Sequence, residues 1–207
     1  MDIPRLVRSF PIISDQISAD ELTVILRELQ KVLERNIPGA ITEFGCYSGT
    51  TSVFIRRLLD ITQQSGRREF HAYDSFSGLP EKASADVSPS GEQFKAGELS
   101  VSKKQFIANF KHAGLALPAV HKGWFSELAP EDVPDEIAFA FLDGDFYDSI
   151  FDSLKLVWPR LVPGGIVTID DYAREALPGV ERAVADFFHG TPQSLRHEAS
   201  IAIIQKC

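Results

Sequence analysis

The sequence predicts an α/β protein with a doubly wound, mostly parallel seven-stranded sheet and a reversed strand at the sheet edge. Three observations carry this. From Ala40 onward, strand-like apolar runs alternate with helix-like segments, the pattern of a parallel sheet wrapped by helices. Ile137–Leu142 is an unbroken six-residue apolar run, as expected of a strand covered on both faces. The two closing strand-like pieces, Ser194–Glu198 and Ile201–Lys206, are separated by only two residues, too few for a helical crossover, so they must pair antiparallel.

The elements follow in order. Ser18-Ala19-Asp20-Glu21 has capping-box spacing, and Leu22, Ile25, Leu26, Leu29, Val32 and Leu33 then recur on one helical face. Asn36, Pro38 and Gly39 end that helix. Ala40–Gly45 reads as strand one, followed after a Gly/Ser/Thr turn by a helix through about Thr62, and Glu69–Asp74 as strand two. The polar stretch Ser77–Ser100 is too long for a simple connector and has the length of a lid, a binding loop or a disordered segment. A helix at Lys103–Ala113 precedes strand three near Ala119–Lys122, and strand four is Ile137–Asp143. Ser149–Leu161 reads as a helix stopped by Pro163-Gly164-Gly165, Ile166–Asp170 as strand five, and Gly179–His189 as a helix entered through Pro178. One domain is expected over residues 1–207, with a helical segment at 1–38 and the core at 39–207.

Composition narrows the function. The chain is 44% apolar and 24% charged, an ordinary globular balance. Its net charge of −8 argues against nucleic acid and against anionic membranes, both of which need a Lys/Arg surplus. No apolar run approaches the roughly 20 residues of a membrane span. The opening Met1-Asp2-Ile3-Pro4 lacks the basic flank and apolar core of a secretion signal, so a cytoplasmic protein is expected. Two cysteines, Cys46 and Cys207, make no disulfide framework. The acid surplus is local: Glu131 to Asp152 holds eight acids and no Lys or Arg.

Ligands of open α/β sheets bind beyond the carboxyl ends of the strands. After strand one comes Glu43-Phe44-Gly45-Cys46-Tyr47-Ser48-Gly49-Thr50, a turn whose glycines let the backbone approach a ligand at a helix N-terminus. The spacing is not that of the dinucleotide GxGxxG motif. Glu43 suits an ammonium better than a pyrophosphate, and Asp74 at the end of strand two suits a ribose diol. Together they describe S-adenosylmethionine better than NAD. A generic strand–turn–helix with a glycine cap is the competing reading of the turn.

Strand four ends in Leu142-Asp143-Gly144-Asp145 and strand five in Ile169-Asp170-Asp171. In strand order 3-2-1-4-5 these ends are neighbours, so Asp143, Asp170 and Asp171 would converge. Carboxylates so crowded raise one another's pKa unless a cation sits among them, and all-oxygen ligands suit Mg²⁺. Asp145 is expected as the N-cap of the next helix, with Asp148 in its first turn. Asp170 and Asp171 are adjacent and would face opposite ways unless the chain bends there. His71 and His121 are expected to be structural. Trp124 and Phe125 follow strand three, where either adenine stacking or core packing would suit them. Cys46 has no nearby His base and is not expected to act as a nucleophile.

Asp74–Pro80, Gly97–Ser102, Gly123-Trp124-Phe125, Leu142–Tyr147, Pro163–Gly165 and Ile169–Tyr172 together resemble the macrocin O-methyltransferase family, over a region from about Ala40 to the C-terminus. The resemblance implies a class I, Rossmann-like, S-adenosylmethionine-dependent methyltransferase acting on sugar hydroxyls of natural products. It places the metal on Asp143, Asp170 and Asp171, and the cofactor pocket on Glu43, Gly45, Gly49, Asp74, Ser75 and the Gly123-Trp124 region; Tyr47, Ser48, Thr50 and Asp143 are further cofactor candidates. The expected reaction is Mg²⁺-assisted methyl transfer to a small-molecule hydroxyl, with Asp143 as metal ligand and proton acceptor and Ser77–Ser100 closing over the site. A metal-independent methyltransferase and a non-catalytic nucleotide-binding module are the alternatives. The amphipathic Leu22–Leu33 helix could serve a core or a homo-oligomer interface.

Overall fold

A computed structural model describes residues 1–91, 93–191 and 193–207. Two helices open the chain, α1 (Ile3–Arg8) and α2 (Ala19–Glu34). Then come β1 (Ala40–Phe44), α3 (Thr50–Ile61), β2 (Phe70–Asp74), α4 (Lys103–Ala113), β3 (Ala119–Lys122) and β4 (Ile137–Leu142). The remainder is α5 (Tyr147–Val157), β5 (Leu161–Ile169), α6 (Pro178–Phe187), β6 (Leu195–Glu198) and β7 (Ile201–Gln205). The seven strands form one sheet in the order β3-β2-β1-β4-β5-β7-β6. β1 to β5 are parallel, and β7 runs antiparallel between β5 and β6.

The fully buried β4 sits near the centre, and its alternating side chains feed both faces. Phe139 and Phe141 join Leu22, Ile25, Leu26 and Leu29 of α2 and Phe54, Ile55 and Leu58 of α3 in one core cluster. Ala140 and Leu142 join Ile150 and Leu154 of α5 and Val180, Ala183 and Val184 of α6 in a second cluster on the opposite face. The periodic face predicted for α2 is therefore core. Its capping box is formed as predicted, with Ser18 and Glu21 each accepting from the other's backbone amide.

The structure departs from the sequence reading in three places. The short helix α1 was not anticipated; Asp2 caps it by accepting the Arg5 amide at 3.0 Å, and its Ile3, Leu6 and Val7 are buried. Pro163-Gly164-Gly165 does not stop a helix but lies inside β5, whose pairing with β4 jumps from Leu161 to Ile166. Gly164, at φ +82°, carries that irregularity, a place where proline's missing donor is tolerated. α5 ends at Val157, followed by a single 3₁₀ turn, Trp158–Arg160.

Leu26 is fully buried where α2 meets the sheet. Leu26→Ala is expected to lower the unfolding free energy by about 2–5 kcal/mol without changing the denaturant slope, measured by urea denaturation.

Candidate active site

The parallel register brings the ends of β1, β4 and β5 level, with Phe44 beside Leu142 and Leu142 beside Ile169. The amide of Asp143 donates to the Phe44 carbonyl at 2.8 Å, and the amide of Asp170 to the Leu142 carbonyl at 2.9 Å. The chain leaving each strand thus begins at one place. Gly45, at φ +92°, is required there because a Cβ would run into the Asp143 carbonyl.

Carboxylate oxygens of Asp143, Asp145 and Asp171 lie within 4.8 Å of one another. The expected trio had Asp170 in place of Asp145. Asp145 does not cap α5, whose N-cap position is Phe146. It stands instead in the left-handed region at φ +59°, a conformation aspartate tolerates, and its carboxylate joins the cluster. The bend that adjacent aspartates need is present, because Asp171 also has φ +55°. Asp170 lies behind the cluster, where its Oδ1 accepts the Asp171 amide at 2.8 Å and the Ser200 hydroxyl at 3.2 Å. Asp148 sits in the first turn of α5 as predicted.

Burial and mutual repulsion both push these carboxyls up. Asp143 and Asp170 lie well above the usual carboxylate range, Asp145 is raised to about 7 and Asp171 to about 6. Burial is the largest cause in each; Asp170, Asp145 and Asp171 add their charges at Asp143, while Arg174 opposes the rise at Asp171. Arg174 bridges Asp171 at 2.9 Å and Glu21 at 2.6 Å. Burial raises the Glu21 carboxyl, but hydrogen bonds from Ser200 and Ser18, together with Arg174, outweigh it and leave the group below its usual range. The donor set is oxygen only and charge-crowded, which fits a hard divalent cation.

These residues open into a cavity of about 770 Å³, the size of a cofactor with a small second ligand. Gly45, Tyr47, Asp74, Ser75, Gly123, Trp124 and Asp143 line it, as do Phe125, Glu21 and Arg174. The glycine-enforced approach at Gly45 and the aromatic wall of Trp124 and Phe125 suit an adenosine-bearing cofactor. Asp74 also clamps two turns, its carboxylate accepting the Tyr47 amide at 2.8 Å and the Phe76 amide at 2.7 Å.

Four cofactor candidates lie off the cavity wall. Glu43 points into the α3 side of the core, accepts the Ser52 hydroxyl and is 1% exposed. Burial and the charge of Asp74 raise its carboxyl to about 8, against a hydrogen bond from Ser52. Gly49, at φ +87°, forms the N-cap of α3, and a Cβ there would press on the Phe106 ring. The Ser48 carbonyl accepts from Asn109 at 2.8 Å, and Thr50 is buried as the first residue of α3. His71 and His121 face each other at 3.1 Å away from the cavity, and Cys46 is buried with its thiol pushed well up by burial.

Of the stretch Ser77–Ser100, residue 92 lies outside the described residues. Leu79, Pro80, Gln93, Phe94 and Leu99 form part of the cavity wall. The base is tied by the Leu79 amide to the Glu98 carbonyl at 2.9 Å and the Gly97 amide to the Leu79 carbonyl at 2.8 Å. Its middle is pinned by Asp86, which accepts the Tyr147 amide at 2.7 Å and the Ala83 amide at 2.8 Å. Asp86 thereby caps α5 from across the fold. It also lies so close to Gly179 on α6 that a Cβ there would overlap its carboxylate. Sequence reasoning missed Asp86, Glu21 and Arg174. The pair Glu21 and Arg174 lies 153 residues apart, so no local spacing could reveal it.

This sheet order, with a reversed β7 and a site at the ends of β1, β4 and β5, defines a class I methyltransferase fold. The chain belongs to the macrocin-O-methyltransferase (TylF) family, whose model matches residues 12–197. It is 38% identical over 154 residues to the 8-demethyl-8-(2,3-dimethoxy-alpha-L-rhamnosyl)-tetracenomycin-C 4'-O-methyltransferase of Streptomyces olivaceus, covering 72% of this chain and 58% of that protein. It is 31% identical over 167 residues to the mycinamicin III 3''-O-methyltransferase of Micromonospora griseorubida, covering 77% and 64%. The chain thus spans less than two thirds of the length of these curated relatives. The solved structure of the O-methyltransferase NovP superposes with a TM-score of 0.79 at 25% identity, covering 99% of this chain and 87% of that one.

Two outcomes are expected. Asp86→Ala leaves the Tyr147 and Ala83 amides without their acceptor; it should cost about 1–3 kcal/mol and speed proteolytic cleavage within residues 77–100, read by calorimetry and limited proteolysis. Glu43 carries a proton in the folded chain up to about pH 8, whereas the unfolded chain releases it near 4.5. Folded protein therefore binds the extra proton across that window, and stability falls as pH rises through it. Glu43→Gln should remove that part of the slope, so its melting temperature should gain on the wild type's between pH 5 and pH 9.

Proposed function

We propose that the chain transfers a methyl group from S-adenosylmethionine to a hydroxyl of a sugar or another small natural product, with a divalent cation such as Mg²⁺ at the aspartate cluster. The observation that carries this reading is that the carboxylate cluster and the glycine-approached cavity share one wall, through Gly45 and Asp143. The relatives' names point to glycosylated acceptors. Asp143, Asp145 and Asp171 would hold the cation, with Asp170 fixing the Asp171 backbone or adding a ligand of its own. Gly45, Tyr47, Asp74, Ser75, Gly123 and Trp124 would hold the cofactor.

When bound, the cofactor supplies an electrophilic sulfonium methyl, and the cation supplies Lewis acidity that eases ionisation of a hydroxyl. The chain's own contribution is position and electrostatics. Asp143 lies where the cofactor wall meets the carboxylate cluster, which would place a carboxylate oxygen to accept the proton of the acceptor hydroxyl. Arg174, held by Glu21, keeps Asp171 in place. Leu79, Phe94 and Leu99 on the 77–100 segment give the cavity apolar wall, which would limit water around the reacting atoms.

The test is calorimetry with S-adenosylhomocysteine and with Mg²⁺, alongside transfer of a labelled methyl group to glycoside acceptors. S-Adenosylhomocysteine should bind and raise the melting temperature. Asp143→Asn and Asp145→Asn should each weaken Mg²⁺ binding by roughly 10–100-fold. Turnover that persists in EDTA would remove the cation from the mechanism, and absence of S-adenosylhomocysteine binding would remove the methyltransferase reading.

A further inference from the structure

We infer that Asp86 is a positioning residue for the carboxylate cluster: by capping α5 from the 77–100 segment it fixes the turn that aims Asp145, so that docking of this segment and occupancy of the cluster by a divalent cation strengthen each other. The inference rests on the divalent-cation reading and adds to it a residue that does not itself face the cation.

Asp145 owes its direction to a turn with little support of its own. The Phe146 amide donates back to the Gly144 carbonyl at 2.6 Å, closing a three-residue turn with Asp145 at its centre, at φ +59°. A three-residue turn with positive φ at its centre is rare and strained, and it persists only where its ends are held. The near end is held by the sheet, since the Asp143 amide donates to the Phe44 carbonyl at 2.8 Å. The far end runs directly into α5, whose first residue is Tyr147. Phe146 occupies the N-cap position of that helix and offers its amides no side-chain acceptor. Helix ends left so fray, and fraying here would release the turn.

Asp86 supplies what Phe146 lacks. Its Oδ1 accepts the Tyr147 amide at 2.7 Å, across 61 residues of chain, while its Oδ2 accepts the Ala83 amide at 2.8 Å within the segment. One carboxylate is thus bonded to the helix and to the segment at once. It is 2% exposed, and a Cβ at Gly179 would overlap it, so it is wedged where α5 and α6 both begin. A negative charge is favoured at both helix starts. When the segment leaves, the cap leaves with it, and Asp145 loses the far support of its turn. The coupling runs both ways: whatever factor docking adds to cation affinity, the cation adds to docking.

The test uses the full chain and Mg²⁺ alone. In titration calorimetry, at a temperature where every variant is folded, Asp86→Ala should weaken Mg²⁺ binding roughly 10–100-fold, as loss of a group that orients a metal ligand does. Asp86→Asn keeps an acceptor for the Tyr147 amide and should return to within about threefold of the wild type. Leu26→Ala, which loosens the core at least as much, should bind Mg²⁺ as the wild type does, separating positioning from lost stability. In a second arm, Mg²⁺ should slow proteolytic cleavage within residues 77–100 of the wild type by roughly fivefold or more, and should not slow it in Asp86→Ala. The wild-type half of that arm needs no variant to fold. Undiminished Mg²⁺ binding by Asp86→Ala, an equal loss in Leu26→Ala, or wild-type cleavage indifferent to bound Mg²⁺ would overturn the inference and leave the cation reading standing. A wild type that binds no Mg²⁺ would overturn both.

Discussion

Three carboxylates held within 4.8 Å repel one another, and much of the surrounding structure exists to keep them there. β4 and β5 lie side by side in the interior of the sheet, and Phe139, Ala140, Phe141 and Leu142 are fully buried. The strand ends therefore cannot drift apart without opening the core. Two aspartates in left-handed backbone, Asp145 and Asp171, then turn their carboxylates back toward Asp143. Such conformations persist where surrounding structure over-determines them, and here the neighbouring strands do so. A divalent cation would relieve the repulsion without moving the backbone.

The charge network reaches well beyond the cluster. From Asp171 it runs to Arg174, from Arg174 to Glu21, and from Glu21 through Ser200 to Asp170. This circuit joins the first turn of α2 to the end of β5 and the residue before β7. It explains why the segment before the β/α alternation belongs to the same body as the core: α2 supplies a carboxylate to the site as well as an apolar face to the sheet. Asp86 plays a matching part on the other side, where it fastens the 77–100 segment to α5. Both devices use a buried carboxylate from one part of the chain to satisfy donors in another, which couples the cavity walls to the fold.

The sequence was most informative where periodicity and burial decide structure. The β/α alternation, the antiparallel closing pair, the capping box at Ser18 and the apolar face of α2 follow from spacing and apolar runs. Among the site residues, those at strand ends were legible for the same reason: Gly45, Asp74, Asp143 and Asp171 fall where a parallel strand must stop. Asp145 was misread because an acid just before a helix has the chemistry of a cap; only its backbone conformation, set by the tertiary fold, shows otherwise. Glu43 shows how alternation along a strand decides placement, for it turns that side chain to the α3 face, where it meets Ser52. Glu21, Asp86 and Arg174 carry no local signature, since their partners are distant in sequence.

The acidic surplus between Glu131 and Asp152 separates, in three dimensions, into parts with different consequences. Asp143 and Asp145 face inward and, with Asp171, make a place for positive charge. Asp148 and Asp152 lie on α5 and line the cavity. Glu131, Asp132, Asp135 and Glu136 surround a separate, open depression near the start of β4, at the opposite end of that strand. The direction of β4 thus sorts one acidic stretch: the residues before it line the separate depression, and those after it line the cavity. A substitution that conserved the net charge but moved it across β4 would leave composition unchanged and alter the chemistry of the cavity.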